Sequence, residues 1–539
     1  MRIAISRKWL VLGAAVALAV TLALFAVAAR ALRGGTLTAR VTSALATALN
    51  CDVSMDPLTV RFLPTIRVSG KNLTIRIKQR PELPPFIQID QFDVNIGLLS
   101  MIRRHVEEVH LDGLRVNVPP RLAATMAAAE AATRAAAPAG TPPSGKTLFR
   151  VDHIITHDAI VNFVAKKAGG RPLMFDVHNL ELLNAGVDAP IDFIAGLTNP
   201  VPEGQVYSRG TLGPWNREDP TLTPLDGAFT LADADLATIN GIAGKTSSTG
   251  TFKGVLTDIH VEGQSDTPDF SLDLGGKPVQ VVTVFTATVD GTNGTTQLDR
   301  VDARIGNTTI TVVGTITNLP GPKNHDVVLT AEVHNGHVED LMRLAIDTSK
   351  PIVTGNITLM TELKLPPGKG RAQQRLNATG TVRIKGADFT DPEMDAHIAD
   401  LSRRGLGKKA NEAVSNVPAD FIGTFALSNG LMRLTKTEVQ VPGAVIRVAG
   451  TYRLGSEEVD FIGEALLEAS LSKAVGGFKA IFLKPFNPLF RKDGVGAVVP
   501  IRITGTRPVP VFAIRKGAIF GKDEKPKKDE KPKRSGGGR

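Results

Sequence analysis

Two pairs of histidines are the side chains best suited to chemistry in this sequence. His105-Val-Glu-Glu-Val-His110 gathers residue types that ligate metals, and His153 and His157 stand four apart with Asp152 and Asp158 beside them. Successive side chains of a strand alternate between faces, so His105 and His110 point to opposite sides, whereas His153 and His157 share one. A two-histidine site at 153 and 157 is therefore the one metal arrangement the spacing allows, and residues of a polar sheet face are the plainer reading. Gly241-Ile-Ala-Gly-Lys-Thr246 has the ending of a phosphate loop, but Ile239 stands where its first glycine belongs, which leaves a turn. No Gly-x-Ser-x-Gly elbow occurs for a serine nucleophile. Carboxylates are scattered and mostly matched by Lys or Arg. The reading assigns no catalytic residue, no cofactor and no metal ligand, and the chain is expected not to be an enzyme.

The elements around these residues are strands. Arg67-Val-Ser69, Leu73-Thr-Ile-Arg-Ile77, Ile87-Gln-Ile-Asp90 and Phe92-Asp-Val-Asn-Ile96 alternate apolar and polar residues, the period of a sheet with one apolar face. From Thr147 to about Asp388, short Val/Ile/Leu/Thr runs are punctuated by Gly, Asn-Gly, Asp-Gly or Pro, which predicts successive hairpins. Helices are expected at Thr36 to Leu49, at Leu122 to Ala137 before Pro138, Pro142 and Pro143, and from Pro392 to Ala413.

Trp9 to Ala29 is an uncharged apolar run, about 30 Å long as a helix and so long enough to cross a bilayer core. It reads as a single transmembrane anchor; a cleaved signal peptide ending at Ala26-Val27-Ala28 is the competing reading. Either way the remaining chain leaves the cytoplasm. The net charge of +10 sits at the ends: residues 1–40 carry six basic and no acidic residues, and 522–539 carry eight basic and four acidic. The middle of the chain is neutral overall, which argues against a nucleic-acid footprint. Cys51 is the sole cysteine, so no intrachain disulfide forms.

The chain divides into a cytoplasmic stub and anchor (1–35), an N-terminal β module (36–120), a helix and Pro-rich linker (121–146), a repeated hairpin region (147–390), a helical interlude (391–415), a C-terminal β module (416–515) and a basic tail expected to be disordered (516–539). One internal repeat is specific. Asn293 to Ile316 aligns without a gap to Asn429 to Tyr452, with seven of 24 positions identical, including Ile310/Ile446, Val312/Val448 and two Gly-Thr pairs. Repeated hairpins must bury their apolar faces against stacked neighbours. About 30 strands in one sheet at about 4.8 Å spacing would extend roughly 140 Å, and a sheet of that size curls or splits. Curling leaves an apolar trough lined by every second residue: Ile310, Val312, Ile446, Val448, Ile501 and Ile503 are the candidate lining. From periodicity alone, ordinary sandwich cores remain the simpler expectation.

Several blocks carry a resemblance. Leu63 to Gly70 (LPTIRVSG), Phe86 to Leu99 and Val109 to Val118 near the N-terminus, and Leu401 to Gly405, Val448 to Tyr452, Leu483 to Lys492 and Ile501 to Thr506 near the C-terminus, are similar to blocks of AsmA-like proteins. These are inner-membrane proteins of double-membraned bacteria whose relatives include TamB and YhdP. The resemblance covers about residues 1–120 and 380–515. It implies a mainly β protein: an N-terminal transmembrane helix, then a long curved, repeat-like antiparallel β-sheet groove with a few short helices, projecting into the periplasm from the inner membrane. It further implies phospholipid acyl chains as partners, inner-membrane attachment through residues 9–29, and transport between the two membranes in support of outer-membrane biogenesis. The competing expectation is a structural or assembly factor that handles outer-membrane proteins by strand addition at an open sheet edge.

Overall fold

The computed structural model describes residues 37–514 except 50, 62–65, 78–83, 97–104, 119–149, 164–172, 186–188, 215–221, 240, 256, 274–275, 292, 320–324, 348–349, 369, 410–411, 413–416, 470–495 and 508. The apolar run 9–29, the alanine-rich segment 122–137, the block Leu483 to Lys492 and the tail 516–539 lie outside the described residues. Among the described residues no helix is long and apolar enough to cross a membrane. The chain is mainly β and forms two compact units, residues 1–380 and 381–539.

The first unit opens with helix α1 (Leu37–Leu49). Val41 and Leu45, one helical turn apart, are both fully buried, and Thr38 Oγ1 accepts from Leu58 N at 3.0 Å. The helix thereby covers the start of a sheet. That sheet begins with β1 (Cys51–Ser54) and β2 (Thr59–Arg61), both paired with β3 (Ile66–Ile77), followed by β4 (Ile87–Ile96), β5 (His105–Asp112) and β6 (Arg115–Val118). Cys51 is half-buried at the first strand position. The ladder continues through β7 (Arg150–Phe163), β8 (Leu173–Ala185), β9 (Ile191–Pro200), β10 (Glu203–Leu212), β11 (Pro224–Asp235), the two-residue β12 (Ile242–Ala243), β13 (Lys245–Val255) and β14 (Asp258–Leu272). It proceeds through β15 (Val279–Val289), β16 (Thr296–Ile305), β17 (Thr308–Asn318), β18 (His325–His337) and β19 (Val353–Leu365). Short helices α2 (Val338–Met342) and α3 (Ala372–Arg375) follow β18 and β19, and β20 is Asn377–Phe389.

Almost every junction is antiparallel between chain neighbours, as the turn-punctuated runs predict. One is not, and it corrects the expectation of a wholly antiparallel sheet. β5 and β6 lie end to end along one edge of β7 and both pair with it in parallel, with Val109 opposite Ile154 and Val116 opposite Val161. A parallel pair needs a crossover rather than a hairpin, and residues 119–149 supply the length for one.

In the second unit, α4 (Pro392–Gly405) precedes β21 (Ala419–Ser428), β22 (Leu431–Val441), β23 (Ala444–Arg453), β24 (Glu458–Leu467), β25 (Ala497–Thr506) and β26 (Val509–Ile514), an antiparallel meander. Asp391 Oδ1 accepts from Met394 N at 3.0 Å and Pro392 takes the first helical position, a start legible in Asp-Pro-Glu-Met. The helix stops at Gly405, short of the expected Ala413, and Gly407 follows at φ 70°.

The internal repeat is structural. Ile305 and Thr308 close a two-residue loop in one copy, Val441 and Ala444 in the other. Leu298 faces Gly314 and Leu434 faces Gly450; Val301 faces Val312 and Thr437 faces Val448. Both pairings slip at the same place, between Leu298 and Val301 and between Leu434 and Thr437, so the copies share a bulge as well as a register. Each hairpin tip is also held by a helix of its own unit. Asp340 of α2, only 5% exposed, accepts from Asn307 N at 2.9 Å and from Thr308 Oγ1 at 3.1 Å. In the second unit, Ser402 of α4 donates to Pro442 O at 2.8 Å.

Candidate functional site

Register decides which side chains share a face. In the first unit, Phe285, Val301, Val312 and Ala331 form one row across β15 to β18, and Thr283, Ala303, Ile310, Val333 and Leu359 form the next across β15 to β19. Gly314, Leu329 and Leu363 follow, then Ile316, Val327 and Leu365. In the second unit, Phe421, Val439, Ile446, Ala465 and Val499 form a row, as do Thr437, Val448, Gly463 and Ile501. Phe425, Leu434, Gly450, Phe461 and Ile503 form a third. Ile310 and Val312 thus lie on one apolar face of the first unit, and Ile446, Val448, Ile501 and Ile503 on one apolar face of the second.

These faces are not covered evenly. From α1 to β15 the apolar side of the first unit is a filled core, with Leu73, Ile89, Phe175, Leu182, Leu197 and Phe285 each at most 2% exposed. Beyond β15 full burial is kept mainly at the helix-held ends of the strands, at Ile305, Val333, Val338 and Ile357. Ile310, Val312, Leu329, Leu359 and Leu363 are only half-buried. The second unit repeats the gradient: Val441, Ala444, Ala465 and Leu467 are buried near α4, while Ile446, Val448, Phe461, Ile501 and Ile503 are half-buried. Rows of half-buried aliphatic and aromatic side chains across consecutive strands can do one thing well, which is to shelter another apolar molecule from water.

The opposite face carries ion pairs, with exposed apolar residues such as Val284, Met360 and Ile462 among them. Arg447 Nε donates to Glu438 Oε2 at 2.8 Å, Arg502 engages Asp460 with two nitrogens at 3.1–3.2 Å, and Arg300 Nε donates to Asp302 at 2.8 Å. The Arg447 and Gln440 hydrogen bonds hold the Glu438 carboxyl below its usual range, and Arg300 followed by Thr311 does the same for Asp302. Arg447 and Arg502 alternate with Ile446, Val448, Ile501 and Ile503, so one strand serves both faces.

Two of the candidate histidines, His110 and His153, belong to such pairs. His110 bonds Glu108 and depresses its pKa, chiefly through that hydrogen bond, and His153 Nε2 lies 3.4 Å from Glu181. His153 and His157 are on one face but about 13 Å apart along the strand, beyond a common ion. Among the described residues no group of three or more His, Cys, Asp or Glu is placed to hold a metal. Lys245 and Thr246 enter strand β13, so the run from Gly241 is followed by a strand where a phosphate loop needs a helix.

Sequence reasoning missed the aromatic lining, Phe285, Phe421, Phe425 and Phe461, although the same alternation marks it. It also missed Tyr452, which lies on the apolar face of β23 between Met432 and Val459 and has its pKa raised first by burial and then by Glu457. No family model matches the chain, and no curated protein or solved structure matches it either.

Proposed function

We propose that this protein is a non-catalytic binder and conductor of glycerophospholipid, anchored in the inner membrane by residues 9–29 with its bulk in the periplasm, and that it serves outer-membrane biogenesis. The observation that carries the reading is the pairing of faces: contiguous half-buried apolar rows on one side of each unit's sheet and ion-paired polar rows on the other. Each buried CH₂ gains about 0.8 kcal/mol, so consecutive rows offer an acyl chain many nearly equivalent positions and low barriers between them. The resemblance of the terminal blocks to AsmA-like proteins supports the same reading and supplies its cellular setting.

The test is site-specific photo-crosslinking in the full chain. Benzoyl-phenylalanine replacing Val448 is expected to yield lipid adducts by intact mass, and the same group at Arg447, on the opposite face, is not. Ile446→Asp with Val448→Asp should abolish lipid occupancy probed from Phe461 while the protein stays folded. Equal labelling from both faces would overturn the reading.

A second reading has one observation in its favour. Among the described residues β26 pairs along one edge only, with β25, and its Val509 and Val511 are exposed. Such an edge suits strand addition to outer-membrane components. That reading predicts insensitivity to charges at 446 and 448 and loss of function on proline substitution in β26.

A further inference from the structure

The apolar face of the second unit has two unlike ends. Near α4 it is closed: Val441, Ala444, Ala465 and Leu467 are buried, Glu468 N donates to Gly443 O at 3.0 Å, and Ala469 N donates to Gly405 O at 2.8 Å. At the other end the row Met432, Tyr452 and Val459 is half-buried and meets a pair of charges. Arg507 Nη2 lies 2.6 Å from Glu457 Oε1, and its guanidinium lies by the Tyr452 hydroxyl. The Arg453–Glu458 pair, one residue along from Tyr452 and Val459, belongs to the opposite, polar face. Between Ile446 and Tyr452 the strand rises about 20 Å, comparable with an extended acyl chain.

We propose that this rim, formed by Tyr452, Glu457 and Arg507, receives the headgroup of a zwitterionic phospholipid whose acyl chains point toward the α4 end. The assignment rests on the lipid reading above and deepens it. Charge complementarity selects the class. The rim carries one positive and one negative side chain, Arg507 and Glu457, each over a third exposed and so open to exchange partners. A phosphate set against the arginine and an ammonium set against the glutamate satisfies both signs. An anionic headgroup satisfies only Arg507 and faces the Glu457 carboxylate at close range, which is unfavourable. Tyr452 joins the two regions, with its ring on the apolar face and its hydroxyl at the charges.

The experiment places benzoyl-phenylalanine at Val459 of the full chain and offers vesicles of equal parts phosphatidylethanolamine and phosphatidylglycerol. Adducts are expected to favour phosphatidylethanolamine. Glu457→Gln, which leaves Arg507 unopposed, should move the ratio toward phosphatidylglycerol by about fivefold, the scale of an exposed ion pair. Lipid adducts whose ratio is the same in both proteins, or which favour phosphatidylglycerol from the outset, overturn the headgroup assignment and leave lipid binding standing. Adducts from Val448 but none from Val459 overturn the orientation. No adduct from either position overturns the lipid reading and the headgroup assignment with it.

Discussion

Gly263 and Phe285 face each other across β14 and β15, and the phenylalanine ring fills the place of the side chain that the glycine lacks. A Cβ built on Gly263 would stand 2.6 Å from Phe285 Cζ and 2.6 Å from Thr249 O. The arrangement recurs: Gly70 faces Phe92, Gly227 faces Phe252, Gly250 faces Phe229 and Gly450 faces Phe461. A glycine opposite each ring lets a large side chain lie flat along the apolar face, which is how this sheet fills space where its strands come closest.

Gly263→Ala should therefore displace Phe285 and cost about 1–3 kcal/mol, the range for overpacking a close-packed site. Gly455→Ala, where a Cβ meets nothing within 4 Å, is the control and should be close to neutral. Hydrogen exchange at the β14 and β15 amides distinguishes the two, because the loss is local before it is global.

Asp340 is a buried carboxylate whose acceptors hold the tip of the β16–β17 hairpin. Asp340→Ala leaves Asn307 N–H and the Thr308 hydroxyl without that partner and should cost about 1–3 kcal/mol. The Asn307 amide should then exchange faster than the amides at the centre of β17, where the ladder bonds are intact. Equal protection in both proteins would show that the hairpin tip closes without α2.

The polar face makes an acid-sensitivity prediction. Asp302 and Glu438 have folded pKa values below the ordinary 3.8 and 4.5, so their pairs with Arg300 and Arg447 contribute stability above that range. The contribution is lost as pH falls through the depressed folded values. Thermal midpoints of the wild type and of an Asp302→Asn, Glu438→Gln variant should differ by a constant amount down to about pH 5 and converge below about pH 4. A difference that persists into strong acid would mean the carboxylates act by packing and not by charge.

Much of the fold is local and could be read before any coordinates. Alternation in Ile87 to Ile96 or Ile501 to Thr504 marks strand and face together, because a strand's period of two is a property of the backbone. The repeat predicts two hairpins, and its glycines at 314 and 450 and shared bulge follow from the same residues standing at the same positions. The Asp-Pro start of α4 is equally local. Strand geometry, also written in the chain, keeps His153 and His157 about 13 Å apart within β7 and puts a strand after Gly241.

Other features depend on partners distant in sequence. Nothing within Val109 or Ile154 says that β5 and β7 run parallel; that pairing is made between strands about 40 residues apart in the chain. Leu182 and Leu363 sit in similar alternating runs, yet one is sealed in the core and the other half-open, because burial depends on what distant strands and the flanking helices bring opposite each face. The rim joins Tyr452 to Arg507 across two strands and a long connection, and no spacing rule relates them. Sequence by itself determined the strands, their faces and the repeat, since these follow from backbone period and turn chemistry. Only the tertiary structure decided where the apolar face is filled, where it stays open, and which charges stand at its end, since those are set by contacts between residues the chain keeps far apart.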